Sequence, residues 1–368
     1  MKWLYGLLCL CFLILFHEIG HFIAAKFFGV KVESFSIGMG PILFHRKIRD
    51  TDFRISLLPL GGYCGMKGEK DFQNAIECNL SEIKAEKDSL YGIHPLKRAL
   101  IGFAGPFFNL IFSIIAYSLI AGIGYYYFTY SNKILINDNA TSSVAKNAGI
   151  QSGDKIIKIN NIKTDDFSDI LEQISIRPDE DIVVFVERNN EILTFNLRTE
   201  LDKNSGTGKI GIAADTSELL KKETPHYNFF QAIAQGVKET FNSVKLTFKS
   251  IKILFKGINL DNAVSGPVRI TEMLGSTVKY GFSESFRQGF ISILNLMAII
   301  SLSLFIMNLL PIPILDGGII LISFIEILIR HKINPKIQYY IQFIGLAFIV
   351  VLFIIGIKGD ISFLIHKN

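Results

Sequence analysis

Residues 3–28 read WLYGLLCLCFLILFHEIGHFIAAKFF. As a helix this run is long enough to cross about 30 Å of hydrocarbon, yet His17, Glu18 and His21 interrupt it. Ionisable side chains are costly in hydrocarbon and are functional there by default. Two histidines four residues apart share one helix face, one turn above the other, so both imidazoles reach a single ion. Glu18 then sits beside the ion, where a carboxylate can take a proton from metal-bound water. The pattern is HExxH. It makes His17 and His21 candidate zinc ligands and Glu18 the candidate acid and base; a satisfied polar cluster between helices is the plainer alternative. Lys2 before the run suggests a signal peptide, but the run exceeds a typical apolar signal region and no small-residue cleavage site closes it. A retained span is expected.

Composition sets the frame around this helix. The chain has 368 residues, 49% of them apolar, which suits a multi-pass membrane protein with a soluble part. A net charge of +5 is spread along the chain, with no block of Lys and Arg interleaved with aromatics, so a nucleic-acid partner is not indicated. Of the four cysteines, Cys9 and Cys11 lie in the first run and Cys64 and Cys78 in the polar stretch after it. No disulfide framework follows from them.

Residues 29–98 form the loop after the first span. Within 31–66, Val32, Phe35, Ile37 and Met39, then Phe53, Ile55 and Leu57, alternate with polar or small residues, a strand-like period of two. Gly38, Gly40, Pro41, Gly61, Gly62 and Gly65 mark turns, so short hairpins against the membrane fit, and an ordinary interfacial loop fits as well. Residues 67–94 carry no assigned site. A second span is expected over 99–128, where Gly102, Gly105 and Pro106 permit close helix approach. Asn109 can reach the metal helix, although an ordinary interhelical bond is the simpler role.

From 131 to 200 the composition turns soluble, with Ala148-Gly149-Ile150-Gln151-Ser152-Gly153-Asp154 as a turn into a strand. A helix over 167–174 and strands near 182–188 and 192–197, joined by Asn189-Asn190, complete a small module. Residues 201–227 read as a linker. Beyond it Phe230, Ile233, Val237, Phe241, Val244, Phe248, Ile251 and Phe255 recur at spacings of three and four, with Lys238, Lys245, Lys249, Lys252 and Lys256 beside them. That is an amphipathic helix with a basic side, within a 201–289 segment expected to lie on the membrane surface; packing in a soluble core is the alternative.

A third apolar run, 290–329, is too long for one straight span and is broken by Asn308-Leu309-Leu310-Pro311-Ile312-Pro313-Ile314-Leu315-Asp316-Gly317-Gly318. Irregular backbone at membrane depth survives only where it lines a cavity or is buried in protein. Asp316 supplies the carboxylate that the histidine pair lacks: three protein ligands with a fourth position open are what catalytic zinc requires. A fourth span covers 337–357. Lys26, Lys31, Lys97, Arg98, Arg330, Lys332 and Lys336 fall on one side, which should be cytoplasmic, placing both termini and the soluble module outside the cytoplasm; Lys2 argues the other way.

The string from Ala148 to Asn160 resembles a bacterial-type PDZ domain, which takes an extended peptide beside a strand and a helix. A mere spacer or steric cover remains the alternative, because 131–200 shows no carboxylate-binding loop. HEIGH in a first span, a PDZ-like insertion and NLLPIPILDGG in a third span together resemble the site-2 protease family of intramembrane zinc metalloproteases (peptidase family M50). The resemblance is strongest to its bacterial regulator-of-sigma-E-protease branch. Gly102-Phe103-Ala104-Gly105-Pro106 and Ser265-Gly266-Pro267-Val268 also resemble that branch.

The resemblance implies one zinc ion per chain held by His17, His21 and Asp316, with Glu18 as catalytic acid and base and Asn308 helping to hold the substrate strand. It implies a multi-pass α-helical membrane protein of about four transmembrane helices, with a membrane-associated β segment and an inserted extracytoplasmic PDZ-like domain, in the bacterial inner membrane. The partners implied are the lipid bilayer and single-span transmembrane substrates trimmed beforehand by another protease, such as anti-sigma factors or remnant signal peptides. Residues 131–200 hold one PDZ-like string where better-known members of the branch carry two. A PDZ-bearing membrane scaffold with a structural or vestigial metal site is the competing reading, and Glu18, which a structural site does not need, discriminates against it.

Overall fold

The computed structural model describes residues 2–137, 144–254 and 266–366. Phe255, Lys256, Ser265 and residues 138–143, which entered the expectations above, lie outside them. The described chain divides into two compact units, one from 1–122, 228–241 and 266–368, the other from 123–227 and 242–265.

In the first unit the apolar runs become helices: α1 (Lys2–Phe27), α3 (Pro95–Ile123), α8 (Phe286–Asn308) and α10 (Pro335–His366), with the short α2 (Glu69–Glu77) between the first two. Among the described residues four helices are long and apolar enough to cross a membrane, the last over Pro335–Ile361. Their outward side chains are apolar: Leu4, Leu8, Phe343, Ile344, Val351 and Ile354 are all more than half exposed. A water-facing surface would not tolerate such a continuous apolar shell, but lipid does. The second span ends earlier than the expected 128. Gly124 adopts φ 63, which stops the helix, and Tyr126–Tyr130 continues as strand β3.

The 31–66 segment is a sheet made of β1 (Val32–Ile48) and β2 (Thr51–Met66). Its register is folded. Ser34–Ile37 pairs with Gly62–Gly65 on one side and with Asp52–Ile55 on the other, whereas Ile42–Ile48 pairs with Thr51–Ser56. Gly38 (φ 85) and Gly40 (φ 82) make the bend between the two halves of β1. A Cβ on Gly38 would also stand 2.8 Å from the Leu58 carbonyl oxygen.

The rest of the first unit is tied together by buried charge. Helix α7 (Pro267–Glu284) packs on α1 through Gly6 and Gly275, and Lys2 reaches Glu272 at 3.1 Å. Lys2 therefore has a partner inside the protein, which removes its weight as an orientation signal. Asp360 of α10 caps α7: its carboxylate accepts from the backbone N–H groups of Gly266 (3.0 Å), Val268 (3.0 Å) and Arg269 (3.2 Å). A carboxylate at a helix N-terminus satisfies orphan donors and complements the macrodipole. Arg98 is also buried rather than interfacial. It pairs with Glu326 of α9 (Asp316–Ile329) and donates to Ser323 Oγ at 2.9 Å.

The second unit is built around a four-stranded sheet of order β6-β5-β7-β8, where β5 is Lys155–Ile159, β6 Ile162–Lys163, β7 Asp181–Arg188 and β8 Glu191–Arg198. Asn189 and Asn190 both take positive φ (53 and 62), the conformation of a tight hairpin turn. Ile156, Ile159, Ile182, Val184 and Val186 face inward with Ala145 of α4 (Val144–Asn147) and with Ile170 and Ile174 of α5 (Phe167–Ser175). Asp166 caps α5 by accepting from Asp169 N–H at 3.0 Å. Burial alone would raise the Asp166 pKa, but the Lys222 ammonium at 2.6 Å and the Asp169 N–H hold it below the ordinary carboxylate range.

The 201–227 segment is not a linker. It carries β9 (Glu200–Leu201), β10 (Gly208–Lys209), β11 (Ile212–Ala214) and β12 (Leu219–Glu223). Strand β11 pairs with β4 (Ile134–Ile136) and β12 with β3, so the segment completes the module. The basic amphipathic helix is α6 (Phe229–Leu254).

Candidate metal centre

Helices α1, α3, α8 and α9 assemble the site within the first unit. His17 and His21 precede the end of α1 by ten and six residues, roughly 15 and 9 Å along the axis. Gly20 lets α1 and α3 approach, since a Cβ there would meet the Ala104 backbone and stand 2.9 Å from the Phe108 ring. Gly105 faces the histidines themselves: a Cβ would collide with His21 Nε2 and lie 2.8 Å from His17 Cε1.

Asp316 arrives from a point 295 positions further along the chain. After Asn308 the backbone makes successive turns, with Leu310 N–H donating to Met307 O (3.2 Å) and Ile312 N–H to Leu310 O (2.7 Å), and re-enters a helix at Asp316. The fold-back is so tight that a Cβ on Gly317 would stand 2.6 Å from the Leu309 carbonyl, and one on Gly318 2.5 Å from the Ile312 oxygen. That is the physical demand for Gly-Gly after Asp316.

The structure brings His17, His21 and Asp316 together. His17 Nε2 lies 3.2 Å from Asp316 Oδ2, His21 Nε2 3.2 Å from Asp316 Oδ1, and the two Nε2 atoms 3.2 Å from each other. Tetrahedral zinc with bonds of about 2.0–2.1 Å places its ligand atoms roughly 3.3 Å apart, so the donor set fits the ion.

The outer ring nitrogens point the same way. His21 Nδ1 lies 2.9 Å from the Ile101 carbonyl, an acceptor only, so the proton sits on Nδ1 and the Nε2 lone pair faces the centre. His17 Nδ1 lies 3.0 Å from the Asn109 amide, whose Oδ1 is buried without a partner. Turning that amide by half a rotation sets its oxygen against Nδ1–H and gives His17 the same ligating tautomer. Without a cation, three lone-pair atoms facing one another at 3.2 Å would repel. Asn109 thus touches the metal helix directly, beyond the ordinary interhelical role expected of it. Its own backbone carbonyl accepts from Ser113 (3.1 Å) and Ser301 (2.9 Å) and locks it between α3 and α8.

Glu18 lies on the same turn of α1, against β2. Its carboxylate is hydrogen-bonded by the Cys64 backbone, and a Cβ on Gly62 would be 3.7 Å from its Cγ. Glu18 and Asn308 line, with the three donors, a cavity of about 480 Å³ whose other walls include Met39, Tyr63 and Ile319. The signal for Asn109 was present in its position one helical turn past Gly105. Nothing in sequence marked the Ile101 carbonyl, which acts through its backbone.

The family described as "Peptidase family M50" matches residues 5–352. A Treponema pallidum protein named "Putative zinc metalloprotease" is 34% identical, with all of both chains covered. Proteins of the same description from Campylobacter jejuni and Clostridium perfringens are 34% and 32% identical, covering 100% and 98% of this chain and 95% and 98% of their own lengths.

Proposed function

The chain belongs to peptidase family M50, the site-2 zinc metalloproteases, and on that premise we propose that it is an intramembrane zinc endopeptidase of the regulator-of-sigma-E-protease branch, cutting transmembrane segments of single-span proteins. One observation carries the proposal: His17 and His21, on a helix of membrane-crossing character, converge with Asp316 at the start of α9, with Glu18 beside them. Bound there, zinc would act as a Lewis acid that brings the pKa of water towards neutrality. Glu18 takes the proton from the attacking water and returns it to the leaving nitrogen, which must be protonated to depart. Ile101 and Asn109 hold the two imidazoles in place. The test is cleavage of a transmembrane test substrate in detergent: a zinc chelator should abolish it and added zinc restore it, whereas cleavage indifferent to chelation rejects the reading.

A helical substrate hides its carbonyls in its own hydrogen bonds, so it must be unwound before attack. Asn308 at the end of α8 and the strand Gly62–Met66 line the approach to Glu18 and supply replacement partners. Asn308→Ala should slow cleavage roughly tenfold or more at unchanged zinc content. Unchanged turnover would reject that role.

The second unit is PDZ-like on this reading. Its sequence string supports it, and so does a groove of about 280 Å³ between α5 (Phe167, Ile170, Leu171, Ile174) and Gly208–Ile212, a wall that lies beyond residue 200. The module excludes untrimmed substrate or binds its trimmed end. Excision can separate these roles because the module closes on itself: Tyr125 N–H donates to Thr224 Oγ1 and Thr224 N–H to Tyr125 O, both at 2.9 Å. Removing 126–223 and joining those neighbours should let untrimmed substrate be cut if the module gates; no gain argues against gating. Lys26, Lys31, Lys97, Arg330, Lys332 and Lys336 support a bacterial inner-membrane orientation with the module and both termini outside the cytoplasm, now without Arg98.

A further inference from the structure

Along Ile42–Arg49 an apolar start gives way to a mostly basic end, in which Ile48, 51% exposed, is the one apolar side chain. Ile42, Leu43 and Phe44 are apolar and 47%, 64% and 60% exposed; His45, Arg46, Lys47 and Arg49 are basic and exposed. Leu43 and Phe44 are consecutive, so they stand on opposite faces of the strand, and both faces are open. A protein partner covers one face of a sheet; an enveloping medium covers both. A strand apolar on both faces would be an aggregation site in water, so the medium around Ile42–Phe44 is hydrocarbon.

The register fixes where the basic part lies. Ile48 pairs with Thr51, and Thr51 Oγ1 donates to the Val32 carbonyl at 2.8 Å, which brings the Arg49-Asp50 turn to the end of the sheet where α1 finishes at Phe27. Lys26 is exposed on that end of α1. The acidic groups nearby do not cancel this charge. Asp52 is shared by His45 (3.1 Å) and Arg54 (2.7 Å), and the exposed carboxylates of Asp50 and Glu33 are outnumbered by Arg46, Lys47, Arg49 and Lys26.

We propose that Arg46, Lys47 and Arg49 dock the sheet on anionic phospholipid headgroups of the leaflet at the C-terminal end of α1, with Ile42–Phe44 immersed in the chains beneath. The assignment rests on the membrane placement of the first unit. Its role is to hold the sheet, and with it Gly62–Met66 beside Glu18, at a fixed depth.

The test uses the full chain reconstituted in equimolar phosphatidylcholine and phosphatidylglycerol, with Trp3→Phe and Phe44→Trp making residue 44 the single tryptophan, and zinc content confirming that the variant is intact. Lipids brominated on their chains quench only a neighbouring tryptophan. Brominated phosphatidylglycerol should quench it with a selectivity of roughly fivefold or more over brominated phosphatidylcholine. Adding Arg46→Gln, Lys47→Gln and Arg49→Gln should bring the two to parity. Equal quenching in the parent overturns the headgroup assignment while leaving the membrane placement intact, and selectivity that survives the triple substitution overturns these residues as its source. Quenching by neither lipid overturns the membrane placement itself.

Discussion

Glu18→Gln is expected to retain zinc and to lose cleavage of a transmembrane substrate by roughly 10²–10⁴-fold, the usual weight of a positioned general acid and base. The substitution keeps the side chain's size and an oxygen for the Cys64 backbone hydrogen bond, so the contact with β2 is preserved. What it removes is the ability to accept a proton at neutral pH. The three donors, His17, His21 and Asp316, are untouched, and their mutual 3.2 Å spacing does not depend on Glu18. Metal analysis on the purified protein and a gel assay on the same preparation separate the outcomes. Loss of zinc together with activity would make Glu18 part of the metal shell, and full activity would assign the proton transfers elsewhere.

The site divides cleanly into what local spacing can tell and what it cannot. His17, Glu18 and His21 were legible because a helix turns every 3.6 residues, so a spacing of four is itself a statement about geometry. Asp316 was legible by a different route: a carboxylate beside Pro and Gly in an apolar run has to be buried in protein or line a cavity. The Ile101 carbonyl was not legible at all, since any residue offers one. Asn109 was visible as a polar residue in a span, but which neighbour it meets depends on how α3 rotates against α1, and Gly20 and Gly105 decide that through close approach.

In the second unit the reading failed where elements were short and their pairing distant. Strands of two to five residues between 200 and 223 carry too little alternation to be seen, and the partners of β11 and β12 lie at 126–136. The aromatic run Tyr125–Tyr130 looked like the end of a span because strand and helix share apolar residues there; Gly124 was the only stop signal. Arg98 shows the limit of counting charges. A basic residue before a span is normally interfacial, but Glu326, 228 positions later, draws it into the interior.

Asp316→Ala should lose both zinc and activity, with metal affinity falling by more than about a hundredfold, beyond the 10–100-fold typical of an outer-shell partner. Two histidine nitrogens remain, and two neutral ligands without a charged third bind zinc far more weakly at the same geometry. The fold should persist, because Asp316 makes no capping bond at the start of α9 and the Gly317-Gly318 fold-back, which holds the turn, is unchanged. Zinc titration against a competing chelator gives the affinity, and resistance of the detergent-solubilised protein to proteolysis gives the fold. Zinc retained near wild-type affinity would remove Asp316 from the ligand set and leave its 3.2 Å approach to both imidazoles as a hydrogen-bonded ion pair with a protonated histidine. Unlike a Glu18→Gln protein, which keeps its metal, an Asp316→Ala protein should recover part of its cleavage when free zinc is raised, because its proton carrier is still in place beside the cavity.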